Sequence, residues 1–173
     1  MYNKFIKFTL LVGILMSTLT LNSQVVKVSD MSTIKPGTKI NCIVDFAQCS
    51  IMGMSEADFS IYEKDWETDK PSIIGKIVKG ANSQLDGILK LGYYKESPYI
   101  LKITVITITD RGNIICDASI IDNNKKELFQ AKNINGGKEP PFLPGTKLAK
   151  IKGWANLVGR NLGSIIKTEY LEQ

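Results

Sequence analysis

The stretch Tyr99-Ile-Leu-Lys-Ile-Thr-Val-Ile-Thr-Ile-Thr109 restricts this chain more than any other. It is dense in β-branched residues, free of glycine and proline inside, and bounded by Pro98 and Asp110-Arg-Gly-Asn113, so it predicts a long strand entering a tight turn. Residues 114–121 predict its antiparallel neighbour. A two-residue loop at Arg111-Gly112 would set Val105 opposite Ala118 and Ile103 opposite Ile120, which joins the apolar sets of both strands on one face. A three-residue loop with Gly112 left-handed would slip that register by one. Patterning favours the first. Asp122-Asn-Asn-Lys125 is a further turn, and residues 127–134 predict a third strand whose weaker pattern suits a sheet edge.

Upstream, after a short extended lead at residues 25–28, Lys39-Ile-Asn-Cys-Ile-Val-Asp-Phe46 alternates with Ile40, Cys42, Val44 and Phe46 on one side, the mark of a half-buried strand. Pro36-Gly37 before it and Gly53 after it are turn signals. From Glu67 onward, Asp69 and Pro71 fit a helix start, and Ile74, Ile77, Val78, Ala81 and Leu85 recur at helical steps up to Asp86-Gly87. Gly75 and Gly80 weaken that helix by about 1 kcal/mol each relative to alanine. A glycine- and proline-rich loop spans residues 136–145. A long final helix over residues 146–170 then carries Leu148, Ile151, Ala155, Val158, Leu162 and Ile165. Ala155, Gly159 and Gly163, spaced by four, predict a face with little bulk that lies close against the sheet. The order β-α-β-β-β-α predicts an α+β fold, a two-layer sandwich with a mainly antiparallel sheet and helices on one face.

The first 23 residues read differently. Lys4 and Lys7 precede an uncharged apolar run from Phe8 to about Leu21, followed by small polar residues, which is the layout of a signal peptide. The run is short of the roughly 20 residues a spanning helix needs. Leu21 and Ser23 place the new amino terminus at Gln24, leaving residues 24–173 as a single domain, periplasmic or secreted, with no span of its own. A lipid anchor needs a cysteine directly after the run, and the nearest is Cys42. Processing lowers the net charge from +5 to +3, too little and too evenly spread for nucleic acid. Lys147, Lys150, Lys152, Arg160 and Lys167 spread around the last helix and read as solvation instead of a membrane surface.

The chain contains no histidine, which removes Ser-His-Asp and Cys-His catalysis together with the commonest zinc ligand. No phosphate-binding glycine loop, dinucleotide fingerprint or calcium loop occurs. The sequence therefore predicts no cofactor, no metal site and no catalytic residue. The alternative is a carbohydrate-active enzyme that works with paired carboxylates. Asp45, Asp58, Glu63, Asp65, Glu67 and Asp117 are its candidates. A lipid or small-molecule carrier is a further alternative. Cys42, Cys49 and Cys116 enter an oxidising compartment as an odd number; a bridge would join Cys116 to Cys49 or Cys42, and packing as small hydrophobes is preferred. Two places suit partner binding: Phe59, Tyr62 and Trp66 at helix-like steps among acids, and the stiff loop carrying Pro141 and Phe142. The competing readings are that the first group covers the sheet edge or staples the next helix, which is preferred, and that the loop is a plain connector.

The segments 39–46, the helix start at Asp69-Lys-Pro71, residues 99–115, Ile120-Ile-Asp-Asn123 and the glycine-bearing last helix together resemble the small α/β domain of bacterial envelope proteins. That group includes the amino-terminal domain of the translocation protein TolB, the curli-secretion lipoprotein and the lipoprotein activators of penicillin-binding proteins. The resemblance implies a domain without catalytic residues that docks another envelope protein. The chain departs from the group in lacking the lipid-bearing cysteine and a second domain.

Overall fold

The computed structural model of the chain describes residues 25–28, 30–137 and 145–173. The expected signal peptide and the Pro141 and Phe142 loop lie outside the described residues. Eleven elements follow in order: β1 (Val25–Val28), β2 (Thr38–Asp45), β3 (Ser50–Ile51), β4 (Met54–Ser55), α1 (Glu56–Tyr62), α2 (Trp66–Leu85), β5 (Leu89–Gly92), β6 (Tyr99–Ile108), β7 (Ile114–Asp122), β8 (Glu127–Ile134) and α3 (Lys147–Leu171). They form an α+β sandwich, one mixed sheet with helices packed on it.

The sheet runs β1-β8-β7-β6-β2-β5, with the small β3 and β4 hairpin attached to the far end of β6. The meander β6-β7-β8 is antiparallel, whereas β2 is parallel to both β5 and β6. Strand β8 is not an edge, because β1 pairs outside it from Val25 opposite Lys132 to Val28 opposite Phe129. Residues 93–98 carry the chain from β5 across β2 to β6. The crossing lies on the face away from the helices, where the Tyr94 N–H donates to Asn41 Oδ1 at 3.1 Å and Ser97 Oγ donates to the Lys39 carbonyl at 2.7 Å.

The hairpin between β6 and β7 takes the three-residue loop instead of the two-residue one. Thr109 N–H donates to the Asn113 carbonyl at 2.9 Å, and Gly112 sits at φ +84°, where glycine carries no steric penalty. The loop slips the register by one, and a bulge at Ile106 slips it by one more in the same sense. Val105 therefore lies opposite Cys116 and Ile103 opposite Ala118, two residues from the pairing that patterning favoured but with the same faces inward. Leu101, Ile103 and Val105 before the bulge and Ile108 after it therefore face the same core as Ile114, Cys116, Ala118 and Ile120.

Helices α2 and α3 run parallel. Gly159 lies against the Ile77 carbonyl, Gly163 against that of Ala81 and Gly80 against that of Asn156, so closely that a Cβ at any of the three would overlap the opposing backbone. The small-residue face of α3 thus meets α2, not the sheet as its spacing alone suggested. Asp69 pairs with Lys152 at 2.7 Å at one end of the contact, and Asp86 with Lys167 at the other. Thr146 caps α3 by accepting from Ala149 N–H. Asp86, left-handed, closes α2. Pro71 falls a full turn inside α2, where its missing N–H removes one intrahelical bond. Both helices bury one side, Ile73, Ile77, Ala81 and Leu85 with Ile151, Val158, Leu162 and Ile166, onto the sheet.

Replacing Gly159 by alanine should lower unfolding free energy in urea by about 1–3 kcal/mol, since the helices must separate to admit the methyl group. Gly75 faces open space on the same helix layer; Gly75→Ala should instead raise stability by up to about 1 kcal/mol. Equal effects at the two positions would show that the helices do not meet where described.

Candidate functional site

Alternation in the strands determines what the uncovered sheet face carries. With the apolar set committed to the helices, the opposite set lines up in rows across β2, β6 and β7: Asp45, Thr104 and Asp117; Ile43, Lys102 and Ser119; Asn41, Ile100 and Ile121. Gln130 continues the second row on β8. Ile106, turned out by the bulge, is 44% exposed and Ile43 is 45% exposed, both large for a β-branched aliphatic residue within a sheet. Lys102 Nζ reaches Asp45 Oδ2 at 3.2 Å, and Asp117 Oδ1 accepts the Asn133 N–H at 2.9 Å. Between them Lys102, Thr104, Asp117, Ser119, Gln130 and Lys132 line a shallow polar depression of about 250 Å³.

Of the candidate acids, this face brings together only Asp45 and Asp117, level with each other but two strand spacings apart, about 10 Å. The backbone N–H of Ala47, aided by Lys102, holds the Asp45 carboxyl below its ordinary range. That direction opposes the raised pKa a general acid requires. Asp58 accepts from Ser55 Oγ at 2.6 Å at the start of α1, while Glu63, Asp65 and Glu67 surround the junction of α1 and α2. Among the described residues no group of histidine, cysteine or carboxylate side chains could hold a metal ion.

The aromatic candidates separate. Phe59 and Trp66 are fully buried, edge to face at 5.3 Å, and Phe46 meets Trp66 in the same geometry at 5.7 Å. Their faces are therefore closed to a partner, and the packing alternative describes them. Trp66 Nε1 donates to Glu56 Oε1 at 3.1 Å, the same carboxylate that pairs with Lys70 at 2.5 Å, and Lys70 lies over the Phe46 ring. This knot fastens α1 to α2 and to the end of β2. Tyr62, 63% exposed, points outward with Lys147 Nζ 4.4 Å above its ring centroid.

A second concavity, about 510 Å³, lies where residues 93–98 cross the sheet, lined by Lys39, Tyr94, Lys95, Ser97 and Pro98. Lys39 stands over the Tyr94 ring and Lys95 over that of Tyr93, each at 5.4 Å. Sequence reasoning missed it, because neither the parallel pairing of β5 nor the crossing is visible in local pattern. The Tyr93-Tyr94-Lys95 cluster was its one signal.

The three cysteines are free thiols. Strand β6 separates Cys42 on β2 from Cys116 on β7 by two strand spacings, about 10 Å, and by a further four residues along the strands, whereas a disulfide spans less than about 7 Å between Cα atoms. Burial pushes all three thiols up to about 12, with Glu56 adding to the effect at Cys49 and Asp117 at Cys116.

No protein-family model matches the chain, and no curated protein matches it. Among solved structures, a PelC dodecamer from Paraburkholderia phytofirmans is similar at 11% identity and a TM-score of 0.42, covering 81% of this chain and 98% of that one. A single-substitution variant of that dodecamer in another crystal form gives 10% identity and a TM-score of 0.41, covering 81% and 97%.

The thiols supply a pH signature. Unfolded cysteine titrates near pH 8.5 and the folded thiols near 12, so above about pH 9 the unfolded chain binds fewer protons and stability falls as pH rises; below about pH 8 these groups add no slope. A thiol reagent at pH 8 should label the native protein slowly and all three cysteines at once in denaturant. Rapid labelling of the native protein would show that the strands around Cys42 and Cys116 are open.

Proposed function

We propose that this protein is an exported, non-catalytic interaction module of the bacterial envelope that docks another protein through the uncovered face of its sheet. The observation that carries the docking surface is the exposure of Ile43 and Ile106 on a face that no helix among the described residues covers, framed by Lys102, Asp45, Asp117 and Gln130. Apolar contacts inside a polar frame are the composition of a protein interface. The strands beneath hold both side chains in fixed rows, so little order has to be gained on binding. Export rests on the layout of the first 23 residues. The absence of histidine and the low-lying Asp45 carboxyl support a non-catalytic role. No helix among the described residues is long and apolar enough to cross a membrane. The likeness of the strand and helix order to envelope docking domains supports the kind of partner, another envelope protein.

A small-molecule carrier is the second reading, favoured by the concavity of about 510 Å³ beside Tyr94. Native mass spectrometry of protein taken from its own envelope separates the two: a retained ligand of constant mass supports the carrier.

Cross-linking in intact cells followed by mass spectrometry should capture a protein partner, and the pair Ile43→Asp and Ile106→Asp should abolish that capture. Each residue, as an interface anchor, contributes about 2 kcal/mol or more, some thirtyfold in affinity. Thermal unfolding should stay near the parent value because both side chains already face solvent. An unchanged cross-link pattern in the folded double variant removes this face from the function, and full-length mass for the native protein removes the processed amino terminus.

A further inference from the structure

The charge of this protein is divided between its layers. Helices α2 and α3 together carry eight basic side chains and three acidic ones, whereas the rest of the chain after residue 23 carries twelve basic and fourteen acidic. No acid occurs over residues 70–85 or 147–168. The sequence alone spreads these cations around their helices, but the packing sorts them. Lys70, Lys152 and Lys167 are taken up by Glu56, Asp69 and Asp86. Among the described residues Lys76, Lys79 and Arg160 have no ion-pair partner, and all three are exposed.

These three stand together. The backbone of Arg160 lies against Gly80, so Lys76 and Lys79 on α2 and Arg160 on α3 border the same stretch of the helix seam. The exposed positions around them are small, Ser72, Gly75, Ser83 and Ser164, which leaves the cations as the highest points of the face. The two parallel helices are about 30 and 38 Å long. Apart from Leu171 at one end, neither helix exposes a large hydrophobic residue. A protein interface draws its binding energy from buried apolar or aromatic anchors. This face has none near the cations, but it is broad and unopposed in charge.

We propose that the outer face of α2 and α3 rests on the anionic headgroup plane of a lipid bilayer, held by Lys76, Lys79 and Arg160 without insertion. Each cation near an anionic surface strengthens binding roughly fivefold, so the three together are worth about a hundredfold. The contact weakens steeply with salt, because the Debye length falls from about 10 Å at 0.1 M to about 3 Å at 1 M. The surface is on the layer opposite the proposed protein-docking face, and the inference does not depend on that docking.

Sedimentation of the exported protein, in the form its own cells produce, with vesicles of phosphatidylcholine alone or with 30% phosphatidylglycerol tests it. The difference between the two vesicle types is read, which removes any apolar contribution of a leading segment, and the triple variant below controls for that of Lys4 and Lys7. Preferential binding to the anionic vesicles at 50 mM salt, lost at 500 mM, is expected. Lys76→Glu, Lys79→Glu and Arg160→Glu combined should abolish the preference with circular dichroism unchanged, while Lys102→Glu with Lys132→Glu on the sheet face should leave it intact. Equal binding to both vesicles, or a sheet-face variant as damaging as the helix-face one, overturns the proposal. So does polyglutamate binding as tightly as the anionic vesicles, which would assign the face to an acidic protein. The salt series on the unaltered protein decides the matter if the triple variant fails to fold.

Discussion

The backbone contact between α2 and α3 determines most of what this molecule presents to its surroundings. Parallel helices that touch through Gly80, Gly159 and Gly163 have their mutual position set by main-chain atoms, which cannot choose another rotamer. A side-chain interface could slide by a residue and repack; this one cannot without overlap. The pairs Asp69 with Lys152 and Asp86 with Lys167 occur where that register brings them together. Solvent-accessible pairs of this kind contribute about 0–1 kcal/mol each, so they follow the register more than they create it. With the helices fixed in one layer, the described helices cover one face of the sheet, and of the other the described residues cover only the part crossed by residues 93–98. The rest of that face they leave to solvent or a partner.

The exposed face depends in turn on the bulge at Ile106. Without it, the three-residue turn at Asp110-Arg111-Gly112 would put Ile108 on the wrong side of β6 relative to Ile103 and Val105. The bulge restores the core face, and the extra residue itself goes outward. Ile106 is thus the structural consequence of a turn choice and also the most exposed residue of β6 that is not charged. Strand β3 adds to β6 at the same place, Ser50 opposite Thr107, so the bulged end is held from both sides.

Legibility in the sequence followed the range of the forces involved. The strand 99–108 and the helix over 146–170 could be read because each buries one face, and burial writes a period into the residues. The hairpin register could not be read by patterning alone. Two one-residue slips add to a shift of two, so the end state keeps the inward and outward faces that the simpler loop would give while every pairing moves by two. The signal was the break at Ile106-Thr107-Ile108, where apolar spacing changes from two to three. Strand β5 was missed because Leu89–Gly92 is four residues long and directly follows the α2 cap. The parallel pairing of β2 joins segments some fifty residues apart, and nothing local encodes it. At the candidate site, Phe59 and Trp66 showed the right period for a contact stripe but belong to two helices that turn their rings inward. Ile43 and Lys102, which form the exposed face, carry no motif; they are recognised by what their neighbours leave uncovered.

The charge of α3 is the feature that folding explains least. A helix favours acids in its first turn and bases in its last, worth about 0.3–1 kcal/mol each. Helix α2 follows this at its start, with Glu67 and Asp69. Helix α3 reverses it: Lys147 and Lys150 open the helix, no base occupies its last turn, and Glu169 is its one acid. The Thr146 cap and the buried apolar face keep the helix formed despite this cost. Lys147 is exposed with its Nζ over the Tyr62 ring, and Lys150 is half exposed, so neither side chain is committed to the core. At Lys147 the contact with Tyr62 offsets part of that cost, whereas Lys150 has no ion-pair partner among the described residues. Both departures make the helical layer more basic in its first half, at the end where α2 and α3 begin side by side and their dipoles already point positive.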